Sequence, residues 1–153
     1  MNYSLPIERK QLIEEFGNAY FAFGQSRARG RIVGLLLSSS EPLSLDEITK
    51  YLQVSKGPVS VETRQLQEFG MLRTIKKPGD RKVYFEITEH PFTITARRNL
   101  LLIRRNQQIA SNYLEEVKNV DQTIIDRFKR MEKFHTQLHD IFARFIEEWQ
   151  THQ

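Results

Sequence analysis

Between Ser44 and Ile87 the sequence places two short helices and a hairpin end to end with almost no spare residues, and this order limits the fold more than any other feature. Ser44-Leu45-Asp46-Glu47 is a capping box: the Ser44 hydroxyl can accept from the Glu47 amide while the Glu47 carboxylate reaches back to the Ser44 amide. A helix therefore starts at Leu45, with Leu45, Ile48 and Leu52 on its inner face. Gln53-Val54 makes a tight turn before Ser55, a second N-cap. In the helix that follows, over residues 56–69, Pro58 is tolerated because first-turn amides have no intrahelical acceptor, and Gly70 supplies the terminator. Two β-prone runs, 72–75 and 83–87, then flank the turn Lys76-Lys77-Pro78-Gly79-Asp80-Arg81-Lys82.

The flanking sequence is helical. Residues 6–23 carry Ile13, Phe16, Tyr20 and Phe23 at three-four spacing, and residues 27–37 repeat the pattern through Ile32, Leu35 and Leu36. Beyond residue 93 come two long helical stretches, 94–120 and 122–149, separated near Asn119-Val120-Asp121. In the last one, Ile124, Phe128, Met131, His135, Leu138, Phe142, Phe145 and Trp149 step by alternating fours and threes, a heptad seam that requires another helix against it. The expected architecture is mainly α with a small β-hairpin wing: a winged helix-turn-helix with long N- and C-terminal dimerisation helices. Its divisions are an N-terminal helix (1–24), the winged unit (25–90) and a helical dimerisation region (91–153).

Charge is distributed to match. The net charge of +4 is modest, but residues 50–82 hold eight basic and three acidic side chains, +5, and the remaining 120 residues sum to −1. Concentrated positive charge on one subregion suits a polyanion. No apolar run approaches the roughly 20 residues needed to span a bilayer, the N-terminus lacks a basic-then-apolar signal, and the absence of Cys removes disulfides and thiolate metal sites. A cytoplasmic protein without membrane association is expected. No glycine-rich phosphate loop, nucleophile elbow or carboxylate pair in a pKa-raising environment can be picked out, so the chain reads as non-enzymatic with no cofactor.

The second helix of such a unit enters the major groove of duplex DNA, which makes Ser60, Val61, Thr63 and Arg64 the candidate readers. Arg64 can bond guanine O6 and N7 in bidentate fashion, and Val61 can touch a thymine methyl; the alternative for Arg64 is an ion pair with Glu68 on a solvated face. Ser55, Lys56 and Gly57 sit at the helix N-terminus, where free amides suit a phosphate. In the wing, Lys76, Lys77 and Lys82 supply charge, Arg81 is placed for the minor groove, and Asp80 is expected to orient Arg81. Taken structurally, Pro78-Gly79-Asp80 is only a turn.

Gly30-Arg31-Ile32, Ser44-Leu45-Asp46-Glu47-Ile48, Ser55-Lys56-Gly57-Pro58-Val59-Ser60 and Gly79-Asp80-Arg81-Lys82 resemble the GbsR-type branch of the MarR-like regulators. The resemblance implies a homodimeric winged-helix regulator of transcription, a repressor in the form favoured here, that binds double-stranded DNA and leaves room for a small-molecule inducer without naming one. It also raises a choline-like aromatic cage drawn from Phe16, Tyr20, Phe23, Phe92, Tyr113 and Trp149, against which stands the usual role of such residues as core.

Other constellations are weaker. His135 and His139 lie one turn apart beside Asp140, but the heptad puts His135 in the seam, and no metal is expected. Arg97, Arg98, Arg104 and Arg105 form two pairs seven apart that could graze flanking phosphate or simply solvate a helix. A protein-interaction adaptor built on the same fold is the competing class, and RNA binding lacks an exposed aromatic platform.

Overall fold

The computed structural model describes residues 4–151. Along the chain run α1 (Ile7–Ala22), α2 (Arg27–Leu37), β1 (Leu43–Ser44), α3 (Leu45–Leu52), α4 (Lys56–Glu68), β2 (Leu72–Lys76), β3 (Val83–Ile87), α5 (Pro91–Glu116) and α6 (Gln122–Thr151). The chain divides between Pro91 and Phe92 into two compact units.

In the first unit α2 is the central helix. Ile32, Val33, Leu35 and Leu36 are buried there and meet Ile13 of α1, Ile48 and Leu52 of α3, Val59 and Leu66 of α4, and Leu72 and Phe85 of the sheet. Helix α1 belongs to this unit rather than standing apart, because it crosses α2 at glycine. A Cβ at Gly30 would lie 2.2 Å from the Phe16 carbonyl oxygen and 2.8 Å from Tyr20 Cβ. Only a residue without a side chain lets the two backbones approach so closely. Arg9 then ties α1 to the end of α2, donating from Nε to Ser38 Oγ at 2.9 Å and from a terminal nitrogen to the Leu35 carbonyl at 3.3 Å.

Helix α3 starts as its capping box requires. Ser44 Oγ accepts from the Glu47 amide at 3.3 Å, and Glu47 Oε2 accepts from the Ser44 amide at 2.8 Å. Its end is a left-handed residue, Gln53 at φ 52°, and Arg31 of α2 donates to the Leu52 carbonyl at 2.8 Å. The turn between α3 and α4 is thereby fixed from the core side, satisfying a carbonyl that the helix itself leaves open.

The sheet is antiparallel in the order β1-β3-β2, with Leu72 opposite Ile87 and Lys76 opposite Val83. Strand β1 is an addition to the expected hairpin. It is only two residues long, Leu43 opposite Phe85 and Ser44 opposite Tyr84, and Ser44 serves both as its last residue and as the N-cap of α3. Such a strand carries too few residues for a periodic signal. Pro78 and Gly79 occupy the centre of a turn closed by the Asp80 amide on the Lys77 carbonyl at 3.1 Å; Gly79 takes φ 78°, the left-handed value that a type II turn requires there.

In the second unit α5 begins three residues earlier and ends four residues earlier than the periodicity indicates. Pro91 opens it, as proline opens many helices. Asn119, at φ 57°, turns the chain, and Asp121 caps α6 by accepting from the Thr123 amide at 2.8 Å. Near this turn the Tyr113 and Phe128 rings stack with centroids 4.1 Å apart. Among the described residues no helix is long and apolar enough to cross a membrane.

Candidate nucleic-acid interface

Helix α4 is pinned by Val59 and Leu66, both fully buried, and its opposite side is left to solvent. Gly57, Val61, Arg64 and Glu68 are exposed and Ser60 is half-buried. Arg64 does not pair with Glu68 and has no side-chain partner among the described residues, so its five donors are available to an external acceptor. At the N-terminus, Ser55 caps without a side-chain hydrogen bond, and a Cβ added at Gly57 would meet nothing within 4 Å. A phosphate could approach these amides unobstructed.

One expectation for this helix is corrected. Thr63 is not an outward reader: it is 2% exposed, and its hydroxyl donates to the Val59 carbonyl at 2.8 Å. Its position carries the reason, since Thr63 lies about 40° around the helix from Val59 and so falls on the buried stripe. Lys56 is exposed beside an acid. Its Nζ lies 2.8 Å from Asp46 Oδ1, and that ion pair holds the Asp46 carboxyl below its ordinary range. Both side chains are largely exposed, so the pair is weak and exchangeable.

The wing is more structured than a solvated basic turn. Asp80 accepts from the Lys82 amide at 2.8 Å and from the Tyr84 hydroxyl at 2.7 Å. These two bonds hold the Asp80 carboxyl below the usual carboxylate range, and the same carboxylate pushes the Tyr84 phenol up to about 12. Lys77 lies over the Tyr84 ring, Nζ 4.2 Å from its centroid. Asp80 is therefore committed to folding the tip and does not hold the Arg81 side chain, contrary to its expected role as the partner of Arg81. Arg81 is exposed without a side-chain partner among the described residues, as is Lys76. Lys82 is exposed too, and with Lys77 it faces negative charge from Glu47. The cations left uncompensated are Arg64 on α4 and Lys76 and Arg81 on the wing.

In the second unit, Ile124, Phe128, Met131, His135, Leu138 and Phe142 are half-buried along α6, while Phe145 and Trp149 are exposed and stack on each other at 6.4 Å. His135 Nδ1 lies 2.8 Å from the Met131 carbonyl, and His139 Nδ1 is 3.4 Å from Asp140. Leu101, Leu102 and Ile109 of α5 and Phe134 and Ile141 of α6 are likewise apolar and each about half exposed or more. Tyr113 and Trp149 do not converge. Tyr113 stacks on Phe128, and Trp149 stands 21 residues further along α6, roughly 30 Å away at helical rise. One chain thus builds no aromatic cage from these two rings.

Sequence reasoning missed Arg29 and Glu62. Arg29 Nε donates to Glu62 Oε2 at 2.7 Å across the α2–α4 junction, and both side chains are nearly buried. A carboxylate about 60° from Val59 on the inner half of α4 was the available signal, since a buried acid needs a cation.

Comparison with known proteins agrees with this geometry. Residues 32–90 match the family described as the winged helix DNA-binding domain. The HTH-type transcriptional regulator MmpR5 of Mycobacterium tuberculosis is 28% identical over 101 residues, 65% of this chain and 61% of that protein, so the chain spans about three-fifths of the length of the curated relative it matches. A solved structure described as a transcriptional regulator superposes with a TM-score of 0.82 at 21% identity, covering 94% of this chain and 99% of the other. It shares the fold. A MarR/EmrR family transcriptional regulator from Acinetobacter sp. ADP1 aligns at 22% identity over 88% of this chain and 91% of its own, with a TM-score of 0.42.

Proposed function

We propose that this chain is a transcriptional regulator that binds double-stranded DNA sequence-specifically as a homodimer, within the GbsR-type branch of the MarR-like regulators. Helix α4 enters the major groove and the β2–β3 wing reaches the minor groove. The observation that carries this reading is the pair of uncompensated guanidinium groups, Arg64 on the outer face of α4 and Arg81 at the wing tip. Of the nearby lysines, Lys56 is held by Asp46 and Lys77 and Lys82 face Glu47, while Lys76 adds a further uncompensated charge to the wing. Arg64 is placed to read, and Arg81 to enter a narrow, electronegative groove.

The match of residues 32–90 to a DNA-binding family supports the same reading, as does the likeness to MmpR5, whose description is that of a transcriptional regulator. The apolar faces of α5 and α6 support the dimer: half-exposed Phe and Leu side chains repeated over two long helices need a second copy to cover them. Repression is the regulatory sign adopted, because occupancy of a promoter requires nothing beyond tight binding. The role needs no cofactor and no catalytic step. A small-molecule inducer is compatible with it, and its site would have to be completed by more than the Tyr113 and Trp149 of one chain.

Footprinting on genomic DNA tests the proposal. Protected half-sites with two-fold related sequences about 10 bp apart, or a multiple of that spacing, are expected. Uniform, weak protection without preferred positions would exclude it and favour the adaptor class.

A further inference from the structure

The inner side of α4 carries a charge that the outward-facing residues do not explain. Glu62 is 9% exposed and accepts from Arg29 Nε at 2.7 Å. Arg29, in the first turn of α2, directs its remaining donors to Gln65 Oε1 of α4 and, at 3.1 Å, to Gln25 Oε1 ahead of α2. Its guanidinium also lies over the ring of Phe69, 5.3 Å from the centroid. One planar group therefore holds α4 and its C-cap at residues 62, 65 and 69, three points on successive turns.

We propose that Arg29 is a positioning residue for base recognition, fixing the roll and tilt of α4 against α2 and thus the aim of Val61 and Arg64, without itself touching DNA. The proposal rests on α4 being the recognition helix. Stability alone does not account for the arrangement, because apolar residues of similar volume in place of a buried ion pair are often neutral or stabilising. Val59 and Leu66 hold α4 by burial, which is non-directional and permits small rotations. A guanidinium fork accepts its partners only within a narrow range of direction. A rotation of α4 too small to unfold it would still take the Arg64 fork out of hydrogen-bonding geometry with a base edge.

The experiment compares the wild type with the double variant Arg29→Met, Glu62→Leu and with the single variant Arg29→Lys, which retains a charge for Glu62 but loses the fork to Gln65. Thermal unfolding and affinities for the selected site and for random duplex are measured across a salt series. The double variant is expected to unfold at or above the wild-type temperature and to keep the wild-type salt slope. Its ratio of specific to random affinity is expected to fall about tenfold or more, as loss of one base contact would cause. Arg29→Lys is expected to show a fall of several-fold in the same ratio, and it decides the matter if the double variant does not fold. A folded variant that discriminates as well as a discriminating wild type overturns the positioning role alone. A wild type that shows no preference overturns the recognition-helix reading, and this proposal falls with it.

Discussion

Arg64 and Arg81 are both exposed and unpaired by acids, but they stand on different elements and carry different mutational signatures. Arg64→Ala should alter sequence preference, removing roughly 1–3 kcal/mol of discrimination at the base it reads. Selection of binding sites on that variant checks this, and an unchanged motif removes Arg64 as a reader. Arg81→Ala should weaken specific and random duplex alike and lower the slope of log affinity against log salt by about one. Asp80 predicts a spectroscopic result. Its hydrogen bond raises the folded pKa of the Tyr84 phenol to about 12, so the stabilisation is fully present below the unfolded tyrosine value near 10 and is lost as pH rises through the folded value. An alkaline absorbance titration should show a late-titrating tyrosine, and Asp80→Asn should return it toward the ordinary range while leaving Tyr20, raised by burial, where it was. If the variant's titration matches the wild type, the Asp80–Tyr84 bond is not formed in solution.

At the scale of elements, what the sequence revealed was what neighbours three or four residues apart decide. The Ser44–Glu47 capping box, the proline and glycine bounds of α4 and the turn at Pro78-Gly79 are local, and each appears where expected. What escaped depends on residues distant in sequence. Glu62 meets Arg29 across 33 positions, and β1 exists only because β3 lies beside it. Thr63 is different: its angle on the helix already placed it with Val59 and Leu66, and its polar side chain obscured that. The α1–α2 crossing offers a test of packing at this scale. Gly30→Ala should destabilise the first unit by about 1–3 kcal/mol or more, the overpacking cost exceeding the up to ~1 kcal/mol that alanine contributes to a helix. Gly57→Ala, with open space around it, should be neutral or slightly stabilising. Chemical denaturation of the pair checks the contrast, and equal midpoints would mean that α1 does not cross α2 this closely.

For the whole molecule, the proposed function joins two properties: a cationic helix and wing on the first unit, and apolar helices on the second that lack sufficient cover in one chain. Static light scattering at micromolar concentration should return twice the 18.1 kDa of a single chain. Replacing Phe145 and Trp149 with Ser should lower the dimer fraction, and a wild-type particle of one chain's mass would remove the homodimer. Sequence-specific recognition of duplex DNA is the central claim, and selection of binding sites from a random duplex pool by the purified wild-type protein tests it most directly. The expected result is enrichment of one two-fold related motif, at an affinity on the order of a thousandfold or more above random duplex at physiological salt. A pool that emerges from repeated rounds with no enriched motif would contradict it.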